Sequence, residues 1–185
     1  MFDNQIMAVI VPQLTDALAQ WVVGTNYAVE RPIVKQSFQP TQQGVPTAPT
    51  VFIHKIMDNR FGFPQEAYKW NEGLQRMVNT TTEIMRTTYQ VNALFIQDPA
   101  NTVQLTAGDL VNASAQILQS DFMVEILREN GIGLERVTQI TTTYFQDDRD
   151  RHETSPSFDF TITHKNITIR HAPIVSTIEE GIFPI

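Results

Sequence analysis

MRTTYQVNALFIQ, residues 85–97, places most of its apolar side chains at alternate positions. A period of two is typical of a β-strand that buries one face. The apolar set lies on odd positions: Met85, Tyr89, Val91, Ala93 and Phe95. The stretch therefore predicts a half-buried strand that ends at Asp98-Pro99, with Arg86, Thr88, Gln90 and Asn92 facing away from the core.

The chain after this strand predicts a helical region and two more strands. Thr106 and Asp109 form a variant of the capping box, so a helix is expected to begin there and to run to Glu129. Ser120-Asp121 can restart a second short helix, and Asn130-Gly131 is typical of a helix end. Strand-like runs follow at 134–145 and 157–169, which completes a β-α-β-β order.

The last of these strands changes the parity of its apolar residues. Phe158, Phe160 and Ile162 are even, whereas Ile167 and Ile169 are odd. Because one buried face cannot survive a slip of one residue, a bulge or turn is expected near Lys165-Asn166.

The N-terminal region predicts a helix and two strands. Apolar residues from Leu14 to Val22 recur at helical spacing, and Gly24 suits a helix end. Pro12 is either the first helical residue or a kink in a longer helix that begins near Asp3. Strands are expected at 32–38 and 51–57.

Two long loops are predicted, and one of them is aromatic. Residues 39–50 are rich in proline and small polar residues. Residues 58–73 either fold back on their own domain or contact another subunit, and both alternatives stand. The segment 171–185 is an apolar tail that is expected to dock on its own or a neighbouring subunit. The candidate subunit-interface residues are Phe61, Phe63, Tyr68, Trp70, Ile182 and Phe183.

Length and composition indicate one domain, assigned to residues 1–170, and its predicted helices and strands fit the α+β class. A mixed, mostly antiparallel sheet would be packed by an N-terminal and a central helix. The net charge of -7, with only 13 basic residues, argues against a dedicated nucleic-acid binder. The absence of cysteine excludes disulfides and thiolate chemistry. No signal peptide and no segment of transmembrane length is expected, and so no membrane partner.

Enzyme chemistry has one candidate, the charged run 146–153. Asp147, Asp148, Asp150 and His152 are the types of residue that bind metals or transfer protons. Interleaved arginines and the following Ser155-Pro156 favour a solvated hairpin loop instead. His54 and His164 are interpreted as core or cross-strand residues. No catalytic, cofactor-binding or metal-binding residue is predicted.

The order of elements resembles the neck or tail-terminator proteins of tailed bacteriophages. The resemblance spans Leu14 to about Ile169 and includes the strand that closes with residues 157–163, SFDFTIT. It implies a non-catalytic subunit of a ring, usually a hexamer. Such a ring terminates the tail tube and joins it to the head connector in the virion, with DNA passing through its lumen after assembly in the host cytoplasm. The alternatives are a head-completion or connector adaptor ring, a metal-dependent hydrolase, and a monomeric binding module.

Overall fold

The computed structural model describes residues 3–25, 30–36, 48–94, 104–146 and 152–171, with side chains described except at 144–146 and 152–154. Within these ranges the chain forms three helices and six strands. The helices are α1 (Asp3–Gly24), α2 (Ala107–Leu118) and α3 (Asp121–Glu129). The strands are β1 (Ile33–Gln36), β2 (Thr50–Asn71), β3 (Arg76–Leu94), β4 (Ile132–Leu134), β5 (Ile140–Gln146) and β6 (His152–His171).

The strands form one mixed sheet in the order β1-β2-β3-β6-β4, and β5 also pairs with β6. The β1–β2 pair is parallel and all the other pairs are antiparallel. Along one edge of β6, β5 occupies residues 152–158 and β4 occupies residues 162–164. The predicted α+β class with a mixed, mostly antiparallel sheet is confirmed.

Strand β3 lies at the centre of the sheet and keeps the predicted parity. Thr87, Tyr89, Val91 and Ala93 are buried, and the residues between them are only partly covered. The strand begins at Arg76, earlier than the alternation indicates. Its expected end at 95–97 lies outside the described residues.

Helix α1 begins at Asp3, so the longer of the two alternatives is correct and Pro12 lies inside the helix. Six side chains enter the core at 5% exposure or less: Ile6, Met7, Ile10, Leu14, Leu18 and Val22. At 22 residues the helix is long and apolar enough to cross a membrane by length and composition. The expectation that no segment reaches that length was therefore wrong, because Pro12 does not end the helix. The buried stripe packs against the sheet and α2.

The predicted ends of α2 and α3 are confirmed. Thr106 accepts a hydrogen bond from the Asp109 amide at 3.1 Å, and the Asp109 carboxylate accepts one from the Thr106 amide at 3.0 Å. Ser120 caps α3 through the amide of Met123. After the cap at Asn130, Gly131 adopts a φ of +71°, which glycine tolerates without strain.

Two structural expectations were wrong. Residues 58–71 are not a loop, because β2 continues through them to form a long hairpin with β3. No bulge occurs in β6 either, since its register with β3 is unbroken from Ser157 to His171. Register shifts occur instead in β2, between Lys55 and Met57 and between Phe61 and Gln65. Most of the predicted loop at 39–50, namely residues 39–47, lies outside the described residues.

Candidate assembly surface on the projecting sheet

Three strands continue beyond the part of the sheet that the helices cover, and we call this extension the arm. The arm comprises residues 57–71 of β2, 76–86 of β3 and 165–171 of β6. Every residue of β2 from Ile56 to Asn71 is exposed. At about 3.4 Å per residue, the β3 segment alone spans roughly 35 Å. A sheet of this length that carries none of the described helices on either face is a candidate for contact with another molecule.

The four predicted aromatic interface residues all lie on the arm. Their exposed fractions are 60% for Phe61, 96% for Phe63, 63% for Tyr68 and 50% for Trp70. These rings therefore do not join the core, and their role at a subunit interface remains a prediction. Ile182 and Phe183, the candidates in the apolar tail, lie outside the described residues.

An apolar row crosses one face of the arm, and sequence patterns did not reveal it. Phe61 pairs with Ile84, and Ile167 and Ile169 of β6 lie on the same face through their partners Thr82 and Thr80. The four apolar side chains are between 43% and 60% exposed. The parity change at Ile167 was the available signal. The parity changes because β6 leaves the helix-covered region after His164. Beyond that point its apolar residues lie on the opposite face of the sheet.

A polar cluster sits at the root of the arm, where the helix layer ends. The fully buried Thr87 hydroxyl donates to Asp58 Oδ1 at 2.7 Å. Since its single proton is used there, its oxygen accepts from His164 Nε2 at 3.1 Å. Burial lowers the pKa of His164 below its usual value. The three side chains connect β2, β3 and β6, and the interpretation of His164 as a buried cross-strand residue is confirmed.

Charge pairing ties this cluster to the start of α1. Lys55 Nζ contacts Asp58 and lies 2.9 Å from Asp3 Oδ2. Burial opposes the charge on Lys55, but hydrogen bonds and attraction from the two carboxylates outweigh it and raise the Lys55 pKa. Burial also opposes ionisation of Asp58, yet the hydrogen bonds from Lys55 and Thr87 lower its pKa. Desolvation, together with the nearby carboxylates, raises the pKa of Tyr89. The arm is thus anchored by polar contacts to the helix-covered core.

The open face of the helix-covered half is polar. Thr88 and Thr161 share a hydrogen bond of 3.1 Å between their hydroxyls, and Gln90 donates to Asp159 at 3.0 Å. Arg86 binds Glu135 through two hydrogen bonds of 2.8 and 2.6 Å. A shallow open groove beside Gln90 is lined mainly by polar residues of β5 and β6. Within the described residues, these paired side chains present no convergent set of acids, bases or nucleophiles.

The described part of the chain holds no group of three or more His, Asp or Glu side chains able to bind a metal. Asp147, Asp148 and Asp150 lie outside the described residues, and the side chain of His152 is likewise not described. The hydrolase alternative therefore gains no support from the described geometry.

Comparison with known proteins yields one family and no curated relative. A family model described as E217 gateway protein gp29 matches residues 5–174, from within α1 to just beyond β6. The match includes the core, the polar root and the whole arm. No curated protein matches the chain significantly.

Proposed function

Because the chain belongs to the E217 gateway protein gp29 family, which is a phage structural family of the neck and connector type, we propose that it is a ring subunit of a phage neck. The ring, a hexamer in this proposal, terminates the tail tube, joins it to the head connector and lets DNA pass through its lumen. The single observation that carries the proposal is the family match over residues 5–174. The projecting arm supports it, since rings need surfaces that contact neighbours.

The proposal allows two positions of the ring in the neck. In the first the ring closes the tail tube, and in the second it is an adaptor next to the head connector. Binding assays with purified tail tubes and purified connectors separate them, because a terminator binds tubes directly and an adaptor binds connectors. Both versions retain the structural role and the virion location that the family supports.

Passage of DNA fits the charge of the chain. A net charge of -7 disfavours tight association with phosphates, and a DNA duplex must slide through the lumen without sticking. The assembled ring is expected to bind duplex DNA weakly at physiological salt. Tight binding that persists at high salt would contradict a passive lumen.

The family is a structural one, and its name denotes no enzyme class. Replacement of Asp147, Asp148, Asp150 and His152 together by alanine tests the hydrolase alternative. A structural subunit keeps its fold and its assembly after this change. Binding of a divalent ion by the unaltered chain that disappears in the variant would favour the enzyme instead.

The decisive experiment measures the mass of the purified protein by light scattering and images it by electron microscopy. The ring proposal predicts a mass that is a multiple of 21.0 kDa and end-on views of closed rings. Incubation with purified tail tubes or connectors covers the case in which assembly needs a template. A mass near 21.0 kDa at all concentrations, without rings on either template, would refute the proposal and favour a monomeric binding module.

A further inference from the structure

We propose that neighbouring copies of this chain join edge to edge through their arms, with β2 of one copy beside β6 of the next. This inference rests on the proposed ring. Among the strands that the structure describes, β1 pairs with β2 along Thr50–Ile53, and the strands beside β6 reach no further than His164. Within the described residues, β2 from 57 to 71 and β6 from 166 to 171 therefore have no strand on their outer sides. Unpaired edges of this kind are templates for another chain.

The directions of the two edges fit a ring. Strands β2 and β6 are each antiparallel to β3, so both run from the root of the arm to its tip. In a ring all arms point the same way, and β2 of one copy then lies parallel to β6 of its neighbour. A two-fold dimer would instead pair β2 with β2, or β6 with β6, in antiparallel fashion. When all arms point the same way, only the head-to-tail contact uses both edges of every copy, and such a contact can close into a ring.

The apolar row gives this contact a side-chain component. Phe61 lies on the β2 edge, and Ile167 and Ile169 lie on the β6 edge of the same face. When the two edges are level, Phe61 lies opposite Lys165 of the neighbouring copy and diagonally next to its Ile167, so edge pairing extends the row from one copy to the next. Burial of side chains that are now 55% to 60% exposed then contributes to association.

The second bulge in β2 limits where pairing occurs. Residues 62–64, which include Pro64, have no register partner, and Gly62 has a φ of +78°. Proline and bulges interrupt strand edges. Two regular stretches remain on the β2 edge, 57–61 and 65–71. The second of these is level with the free segment of β6, since Ala67 and Ile169 both pair with Thr80.

The absence of cysteine makes disulfide trapping a clean test. Ala67→Cys and Ile169→Cys are made as separate proteins, assembled singly and as a mixture, and oxidised. The proposal predicts cross-linked dimers in the mixture and none in either protein alone, while the double variant forms a ladder up to the full ring. Gln65→Cys and Lys69→Cys, each tested in place of Ala67→Cys, allow for a stagger between neighbouring arms.

A matched set of charge variants tests the apolar row. Ile167→Lys combined with Ile169→Lys is expected to abolish assembly, whereas Thr168→Lys, on the opposite face between them, is expected to preserve it. All three positions are exposed, so thermal unfolding of the separate subunits should be unchanged. That measurement distinguishes lost assembly from a damaged fold.

The outcomes separate this inference from the proposed function. Rings that form without any cross-link between β2 and β6 would overturn the edge contact and leave the ring intact. Cross-links within a single-cysteine protein would also overturn it, because they indicate a two-fold arrangement. Failure to form rings under any condition, with or without template, would remove the proposed function itself.

Discussion

Replacement of Thr87 by valine should destabilise the subunit out of proportion to the size of the change. Valine keeps the shape of the side chain but removes the hydroxyl that donates to Asp58 at 2.7 Å and accepts from His164 at 3.1 Å. Thr87 and His164 are both buried, so water cannot replace the acceptor that His164 loses, whereas the exposed Asp58 carboxylate can turn to water. Leaving the buried His164 Nε2–H without an acceptor costs about 1–3 kcal/mol, so a loss of about 1–3 kcal/mol is expected.

This free energy corresponds to a measurable shift in melting temperature. Unfolding entropy is about 2.1 cal/mol/K per residue, or about 0.4 kcal/mol/K for a chain of 185 residues. The melting temperature of Thr87→Val should therefore fall by roughly 3–8 °C in thermal unfolding followed by circular dichroism. All variants are compared at one low protein concentration, because assembly raises apparent stability.

The neighbouring residue provides the control. Thr88→Val makes the same chemical change on the open face, where the hydroxyl is partly solvated and bonds only Thr161. Its expected cost is less than about 1 kcal/mol. If Thr87→Val were no more destabilising than Thr88→Val, the polar root would not hold the three strands together as argued.

Three further predictions concern packing and pH. A Cβ at Gly133 would overlap the Thr163 side chain, so Gly133→Ala should cost about 1–3 kcal/mol in urea unfolding, and Thr163→Ala in the same chain should recover most of it. Because burial lowers the pKa of His164, the unfolded state binds its proton more readily, and unfolding free energy should fall as the pH drops from about 8 to about 5.5. In His164→Gln that fall should shrink; an unchanged slope would mean that other groups cause it. Leu18→Ala should lower the unfolding free energy by about 2–5 kcal/mol, because Leu18 is fully buried. Val23→Ala, at an 81% exposed position of the same helix, should lower it by less than about 1 kcal/mol, and thermal unfolding measures both.

The predictions from sequence succeeded where burial imposes a period. Tyr89 and Val91 lie in the core because a strand with one covered face must alternate, and that alternation is visible in the sequence. The start of α2 was also readable, since capping is a local interaction between Thr106 and Asp109.

The predictions from sequence failed where burial imposes no period. Residues 58–71 form a strand with both faces exposed, so burial required no alternation of apolar and polar residues along its length. Gly62 and Pro64 mark a bulge within this strand and do not end it. The parity change at Ile167 suggested a slip in register. Its actual origin is the end of the helix layer, which the sequence of β6 does not contain.

The sequence by itself determined the central strand, the capped helices, the α+β class and the lack of thiol chemistry, because each depends on local periodicity or on composition. Tertiary structure alone decided that the sheet projects as an arm, that Phe61, Ile167 and Ile169 share one of its faces, and that Thr87 connects Asp58 with His164. The physical reason is that these relations depend on which strands are neighbours and where the helices stop covering them. Strand pairing and helix coverage are set by contacts between residues far apart in the chain, and such contacts leave little trace in any single segment.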